Sequence, residues 1–379
     1  MNITLKLNVK ILEEWVNAFG PSGFERDVAV LVKEYMEPMA DEVLQDRTGS
    51  VIFRKGDKGP KIMLAGHIDE IGFIISGISK EGFLTFNQLG GWWDQVLLGQ
   101  RVEIRVRDGT LIMGIICSKP PHVLSADDRS KVVTKDNMFI DVGCKNQKEA
   151  KALGISIGDP VVPYAKFELI KRKQFIKDEE TGKKKERDAT LAVAKAFDDR
   201  IGTFIISEVF KKIKEEDIKL PNQLYGVATV QEEVGLRGAR TSAQMIQPDI
   251  GIALEVDISG DVPGVKETQA PAKMSEGPSI LAADGSMLAN PYFRHFVLDI
   301  AKEVGINVQD SILFRGGTDA GVMHTTGAGC PSLVFGIATR HIHSHYGILD
   351  MDDVEKCVDL LIEVIKRLDQ KTVDSFTKI

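Results

Sequence analysis

Apolar residues recur at helical spacing through residues 9–19 and 24–37, so two helices are expected, separated by Gly20-Pro21-Ser22-Gly23. Two short apolar runs, 51–54 and 61–65, then read as strands, the second leading straight into Gly66-His67. After Gly72 the pattern changes to short alternating runs broken by Gly, Asp and Pro, with Asp108-Gly109 placed as a hairpin turn. No long helical pattern returns until after Pro163, so residues 73–163 are expected to form an all-β insert, a small barrel. Residues 171–188 (KRKQFIKDEETGKKKERD) are polar enough to read as a solvated loop or hairpin. Helix and strand patterns then alternate: helix 201–213, strand 224–231, helix 239–246, strand 250–256, helix 291–303, strand 332–337 and helix 352–368. Such alternation implies an α/β sheet with helices on both faces. The larger half is therefore expected to be discontinuous, residues 1–72 plus 164–379, with the insert 73–163 between.

With 379 residues, 43% hydrophobic and 27% charged, the chain has the composition of a soluble globular protein of about two domains. A net charge of −7 disfavours nucleic acid and anionic membranes as partners. The N-terminal stretch carries Lys and Glu through its apolar positions and lacks the features of a signal peptide. No window approaches the roughly 20 apolar residues of a membrane span. None of Cys117, Cys144, Cys330 and Cys357 forms a CxxC pair, so they read as buried free thiols. A cytoplasmic location is expected.

Five clusters carry the candidate chemistry: His67-Ile68-Asp69, Asp198-Asp199, Glu232-Glu233, Glu255 and His343, each at the end of an apolar run or in a Gly-bounded turn. Ligands of open α/β sheets gather at the carboxyl ends of the strands. His67 and Asp69 are two apart, which in extended chain turns both to one side, so Asp69 can accept from the ring nitrogen of His67 left free by a metal. Asp198 or Asp199 can serve as a helix cap, but a carboxylate there can also give one oxygen to each of two cations, with Arg200 as a tether. Glu232 and Glu233 are expected to leave a strand in opposite directions, one toward a metal and one toward its water. A buried Glu255 needs a cation or a donor, with Asp257 and Asp261 as nearby alternatives. Among His341, His343 and His345 composition alone does not choose.

Together GPSGFE, AGHIDEIG, GGWWDQVLLGQRV, KPPH, KAFDDRIG, VQEEVGLRGA, EVDISGDVPG, GGTDAG and RHIHS resemble the tetrahedral (TET) aminopeptidases over nearly the whole chain. That family includes glutamyl and deblocking aminopeptidases, and some relatives have been labelled endoglucanases. The resemblance implies a three-layer mixed-sheet zinc-peptidase domain with an inserted small β-barrel. It implies a di-metal aminopeptidase that removes the N-terminal residue of peptides with a free N-terminus through a metal-bridging hydroxide. Two divalent ions, zinc or cobalt, would be held by Asp198 as the bridge, with His67 and Glu255 on one ion and Glu233 and His343 on the other. Glu232 would be the general base, and Asp69 would orient His67. His343 is preferred because it occupies the His of the family's His-Ser segment. The insert would serve dimerisation within a dodecamer. Two departures bear on specificity: Glu255 stands where the family often has Asp, and His345-Tyr346-Gly347 stands where Pro commonly follows His-Ser.

Other hydrolases fit the same donors. A carboxypeptidase or an N-acyl-amino-acid deacylase would use the same metals and recognise a carboxylate. A glycoside hydrolase would need only two carboxylates and would leave His67, Asp198 and His343 without a role. A metal-binding shell without catalysis would not need an acid at Glu232.

Overall fold

The computed structural model describes residues 6–177 and 184–379. Helices Val9–Asn17 and Arg26–Met36 come first, followed by strands β1 (Glu42–Gln45), β2 (Val51–Lys55) and β3 (Lys61–His67). The chain then enters β4 (Gly72–Ile78), β5 (Leu84–Leu89), β6 (Arg101–Arg105), β7 (Leu111–Cys117), β8 (Phe139–Asp141) and β9 (Pro160–Pro163). These six close a barrel in the order β4-β5-β8-β7-β6-β9, every pair antiparallel. Gly109 takes φ +91° in the β6–β7 turn, a conformation that favours glycine. The barrel has its own core, including Phe73, Leu84, Val102, Ile104, Ile116 and Ile140.

The polar segment is a hairpin: β10 (Glu168–Lys177) pairs antiparallel with β11 (Lys184–Ala194). Its tip, residues 178–183, lies outside the described residues, as do residues 1–5 of the N-terminal stretch. The remaining strands are β12 (Gln223–Thr229), β13 (Ile250–Ile258), β14 (Ser279–Asp284), β15 (Gln309–Leu313), β16 (Ser332–Thr339) and β17 (Gly347–Asp350). An eight-stranded mixed sheet runs β1-β2-β12-β3-β13-β16-β14-β15, parallel across its centre from β12 to β16.

The sheet is sandwiched. On β3, Ile62 and Leu64 join one core with helices Phe197–Glu215 and Met351–Ile365. The alternate residues Met63 and Ala65 join the other, with helices Arg237–Ile246 and Asp319–Thr325. Burial on both faces explains why the central strands read as unbroken apolar runs. The layers are those of a three-layer α/β fold with an inserted barrel.

Three expectations about strand ends are corrected. β3 continues through His67, because its pairing with β12 extends to His67 opposite Thr229. β12 stops at Thr229, so Glu232 and Glu233 sit on a loop rather than leaving the strand itself; Gln231 turns the chain with φ 56°. Glu255 lies inside β13, which runs on to Ile258. Strands β1, β14, β15 and β17 and helix Asp319–Thr325 lie outside the elements expected from the sequence. Two of the four free cysteines, Cys117 and Cys144, are only half-buried. Among the described residues no helix is long and apolar enough to cross a membrane.

Candidate active site

The carboxyl ends of β3, β12, β13 and β16 converge at one edge of the sheet, and the five clusters meet there. Asp198 lies in the first turn of helix Phe197–Glu215, where its φ of −81° and ψ of 102° are not helical, and its peptide bond to Asp199 is cis. The side chain stands between two imidazoles. Its Oδ1 is 3.0 Å from His67 Nε2, and its Oδ2 is 3.2 Å from His343 Nε2. Ligand atoms of His67, Asp198 and Glu255 lie within 4.8 Å of one another, and so do those of Asp198, Glu233 and His343. Each group could hold a metal ion, and the two share Asp198. Glu232 Oε2 stands 3.7 Å from His67 Nε2, beside the first group and outside both.

Asp69 is fully buried and works through several bonds. Its backbone carbonyl is the nearest acceptor for His67 Nδ1, at 3.0 Å, with carboxylate Oδ1 at 3.3 Å. The carboxylate also accepts the backbone N–H groups of Glu232 and Glu233, at 3.0 and 3.2 Å. Asp69 thus bonds both the imidazole of His67 and the loop that carries the two glutamates. Ser22, which the sequence reading gave no role, donates its hydroxyl to Asp69 at 2.6 Å. Asp199 caps: Oδ1 accepts from Gly202 N at 3.0 Å, and Oδ2 accepts from the backbone N of His67 at 3.1 Å.

Arg200 tethers an acid, but neither Asp198 nor Asp199. Its guanidinium donates to Glu70 Oε1 at 3.1 Å and to the carbonyls of Trp15, Ala18, Gly20 and Ile68. The alternatives to Glu255 are engaged elsewhere: Asp257 accepts from Ser279, and Asp261 pairs with Arg340. The three histidines do not share a face, because His341 and His343 both have positive φ, 64° and 54°. His341 points to solvent, and His345 is buried 5.3 Å from the Trp92 ring. Asp319, from the GGTDAG motif, is buried and accepts from Thr229 at 2.6 Å.

The charges are out of balance without a cation. Burial raises the carboxyls of Glu232 and Glu255 well above the usual range and pushes Glu233 up to about 8, with Asp198 adding repulsion there. Burial pushes Asp199 up too. Burial alone would lower His343, but Asp198 and Glu233 raise it to about 10. Glu233 Oε1 is buried without a hydrogen-bond partner among the described residues. A nest of buried carboxylates with an orphaned oxygen and two imidazoles fits divalent cations, whose charge would reverse these shifts. It opens into a cleft of about 530 Å3 lined by Asp198, Glu232, Glu233, Glu255 and His343 themselves, with Leu236, Val256, Ile258, Leu313 and Ile342 completing the wall and Arg315 exposed along it.

A mixed sheet bearing two overlapping imidazole–carboxylate groups at one edge, where they line a cleft with apolar side chains, has the makings of a metal-dependent hydrolase. The comparisons make the class specific. The chain belongs to the M42 glutamyl aminopeptidase family, whose model matches residues 49–360, and it is a hydrolase acting on peptides. A TET aminopeptidase from the marine sediment archaeon Thaumarchaeota archaeon SCGC AB-539-E09 is 51% identical, covering 97% of this chain and 98% of that one, with a TM-score of 0.91. The lysyl aminopeptidase of Pyrococcus furiosus is 30% identical over 366 residues, 95% of this chain and 98% of the relative. The TET1 peptidase of Pyrococcus horikoshii, which can assemble into a tetrahedron or a large octahedral shell, is 27% identical with a TM-score of 0.78; the match covers 95% of this chain and 99% of that one.

Proposed function

We propose that the chain removes the N-terminal residue from peptides with a free N-terminus, using two divalent ions, zinc or cobalt. The observation that carries this reading is the placement of Asp198, whose two oxygens face different imidazoles at 3.0 and 3.2 Å. Only a carboxylate can give one oxygen to each of two neighbouring cations. His67 and Glu255 would complete one ion, Glu233 and His343 the other. Bound there, the ions would acidify a water and polarise the scissile carbonyl.

The chain's own residues do the rest. Asp69 fixes the ring of His67 so that Nε2 faces the site. Glu232, pinned through its backbone but with its carboxyl free of any ligand group, takes the proton of the attacking water. It returns that proton to the amine as the peptide C–N bond breaks. The apolar side of the cleft, formed by Leu236, Val256, Ile258, Leu313 and Ile342, holds the first side chain of the peptide.

The insert would serve dimerisation and the whole an assembly of twelve. This rests on the relatives and on apolar side chains the barrel leaves exposed, among them Trp93, Val123 and Ile157. A second reading, trimming from the carboxyl end, has one observation in its favour: the guanidinium of Arg315, exposed along the cleft, would meet a carboxylate there.

The deciding experiment incubates zinc- or cobalt-loaded protein with peptides bearing free or acetylated N-termini and follows them by mass spectrometry. Stepwise loss from the free N-terminus, with acetylated peptides intact, is expected. C-terminal trimming or release of acetate would overturn the reading. In parallel, Glu232→Gln should keep both ions and lose about 10²-fold or more in turnover; near-normal turnover would remove Glu232 as the base.

A further inference from the structure

The second candidate metal group is reached by a turn that belongs to the barrel. β5 ends at Leu89, and Gly90 and Gly91 then pass directly over Glu233 and His343 respectively. The carbonyl of Gly91 is 2.7 Å from His343 Nδ1. A carbonyl only accepts, so the hydrogen sits on Nδ1 and the lone pair of neutral His343 is on Nε2. That nitrogen faces Asp198 Oδ2 at 3.2 Å and Glu233 Oε2 at 3.7 Å.

Both glycines are held close. A Cβ on Gly90 would lie 3.0 Å from Glu233 Oε2 and 2.6 Å from Ile71 Cγ2, and its φ of +80° disfavours any side chain. A Cβ on Gly91 would lie 2.9 Å from His343 Nδ1 and 3.2 Å from its Cε1. The next residue anchors the turn at both ends. Trp92 donates its Nε1–H to Gly72 O at 3.1 Å and stacks on Phe73 at 4.8 Å, at the root of the barrel. Trp92 also meets, at 5.3 Å, the ring of His345, whose two ring nitrogens have no hydrogen-bond partner among the described residues. His345 is two residues from His343, so Trp92 clamps the barrel root to the segment that carries the imidazole.

We propose that residues 90–92 of the inserted barrel are the positioning element of the second metal group: Gly91 sets the tautomer and ring angle of His343, and Trp92 holds Gly91 in place. The insert would then be part of the active site's support as well as a domain for assembly. This rests on the two-metal reading above. Outer partners of a metal-bound histidine typically contribute about 10–100-fold in metal affinity. A turn that merely packs two domains together would leave metal affinity alone.

The test uses the full chain, stripped with chelator and dialysed against zinc, counting ions bound and their Kd values. Wild type should hold two ions and His343→Ala one. Gly91→Ala, which wedges a methyl against the ring from a backbone outside the left-handed region, should bind one ion as wild type does and the other about 10–100-fold more weakly. Its metal-free thermal midpoint should match that of wild type. Should Gly91→Ala fail to fold, Trp92→Phe decides, since it keeps an aromatic plate and loses the bond to Gly72; several-fold weaker binding of one ion is expected. Normal binding of both ions in these variants, beside the loss in His343→Ala, overturns this inference alone. Wild type that holds fewer than two ions, or His343→Ala that loses none, overturns the two-metal reading and this inference with it.

Discussion

Glu25 shows how single residues away from the candidate metal ligands shape the site. It is 5% exposed, and one of its oxygens, Oε1, accepts from Gly23 at 2.6 Å and from Gln231 at 3.1 Å. It thus ties the turn bearing Ser22 to the loop bearing Glu232. Burial, then the charge of Asp69, push its carboxyl up to about 7. The folded state therefore holds this proton more tightly than the unfolded chain, whose Glu titrates near 4.3. The stability this gives is full below about 4 and is lost as pH rises toward about 7. Glu25→Gln keeps the single acceptor that both backbone donors use and does not titrate. Relative to wild type the variant should gain on the order of 2 kcal/mol between pH 4 and pH 8, read as a rising difference in thermal midpoint. A difference that stays flat across that range would mean that Glu25 is ionised throughout.

The elements that present the site were legible where burial alone decides them. Strands β3, β13 and β16 are covered on both faces, so IMLA, IGIALEV and LVFGIAT stand out as apolar runs with the candidate ligands at or near their ends. The end of β12 was not legible, because apolar residues continue through Val230 while the strand stops at Thr229. What ends it is tertiary: Gln231 turns with positive φ and gives its N–H to Glu25. The side strands β14 and β15 are short, and β15 alternates buried and exposed positions too briefly to be recognised. The role of Arg200 was illegible for a similar reason, since its partners lie 130 or more residues away in sequence. Those contacts predict an effect at this scale. Lys195 donates to Glu70 at 2.5 and 2.6 Å and to Ala18 O at 3.0 Å, so Lys195, Glu70 and Arg200 lock helix Val9–Asn17 to the turn after β3. Burial lowers the ammonium to about 8 against the pull of Glu70, and without Lys195 the buried carboxylate would keep the Arg200 guanidinium at 3.1 Å and the Gly20 N–H at 3.3 Å. Lys195→Met should destabilise by about 3 kcal/mol, and Glu70→Gln should cost less on top of it than in wild type, because one buried cation, Arg200, rather than two then loses its carboxylate. Strict additivity of the two in thermal unfolding would show that the pair is not coupled.

For the whole molecule, fold and chemistry stand on separate foundations. Apolar side chains fill the two cores flanking the sheet and the core of the barrel, and the candidate ligands gather at one edge of the sheet. The site instead concentrates buried carboxylates whose ionisation burial opposes. Removal of metal should therefore abolish hydrolysis and leave the secondary structure intact. It should still lower the thermal midpoint, because ions bound only by the folded state stabilise it, by about 4 kcal/mol at a thousand times Kd. The sign of the pH dependence follows from the same groups. Without metal, Glu233 holds its proton up to about 8 and His343 up to about 10, and both must lose it to bind a cation. Protons and cations compete, so the gap in midpoint between zinc-loaded and chelated protein should be widest in mild alkali and shrink as pH falls through neutrality. Differential scanning fluorimetry of both forms across pH 5.5–9 reads it directly. A gap independent of pH would mean that these residues are not the ligands, and loss of secondary structure on chelation would make the ions part of the fold rather than of the chemistry alone.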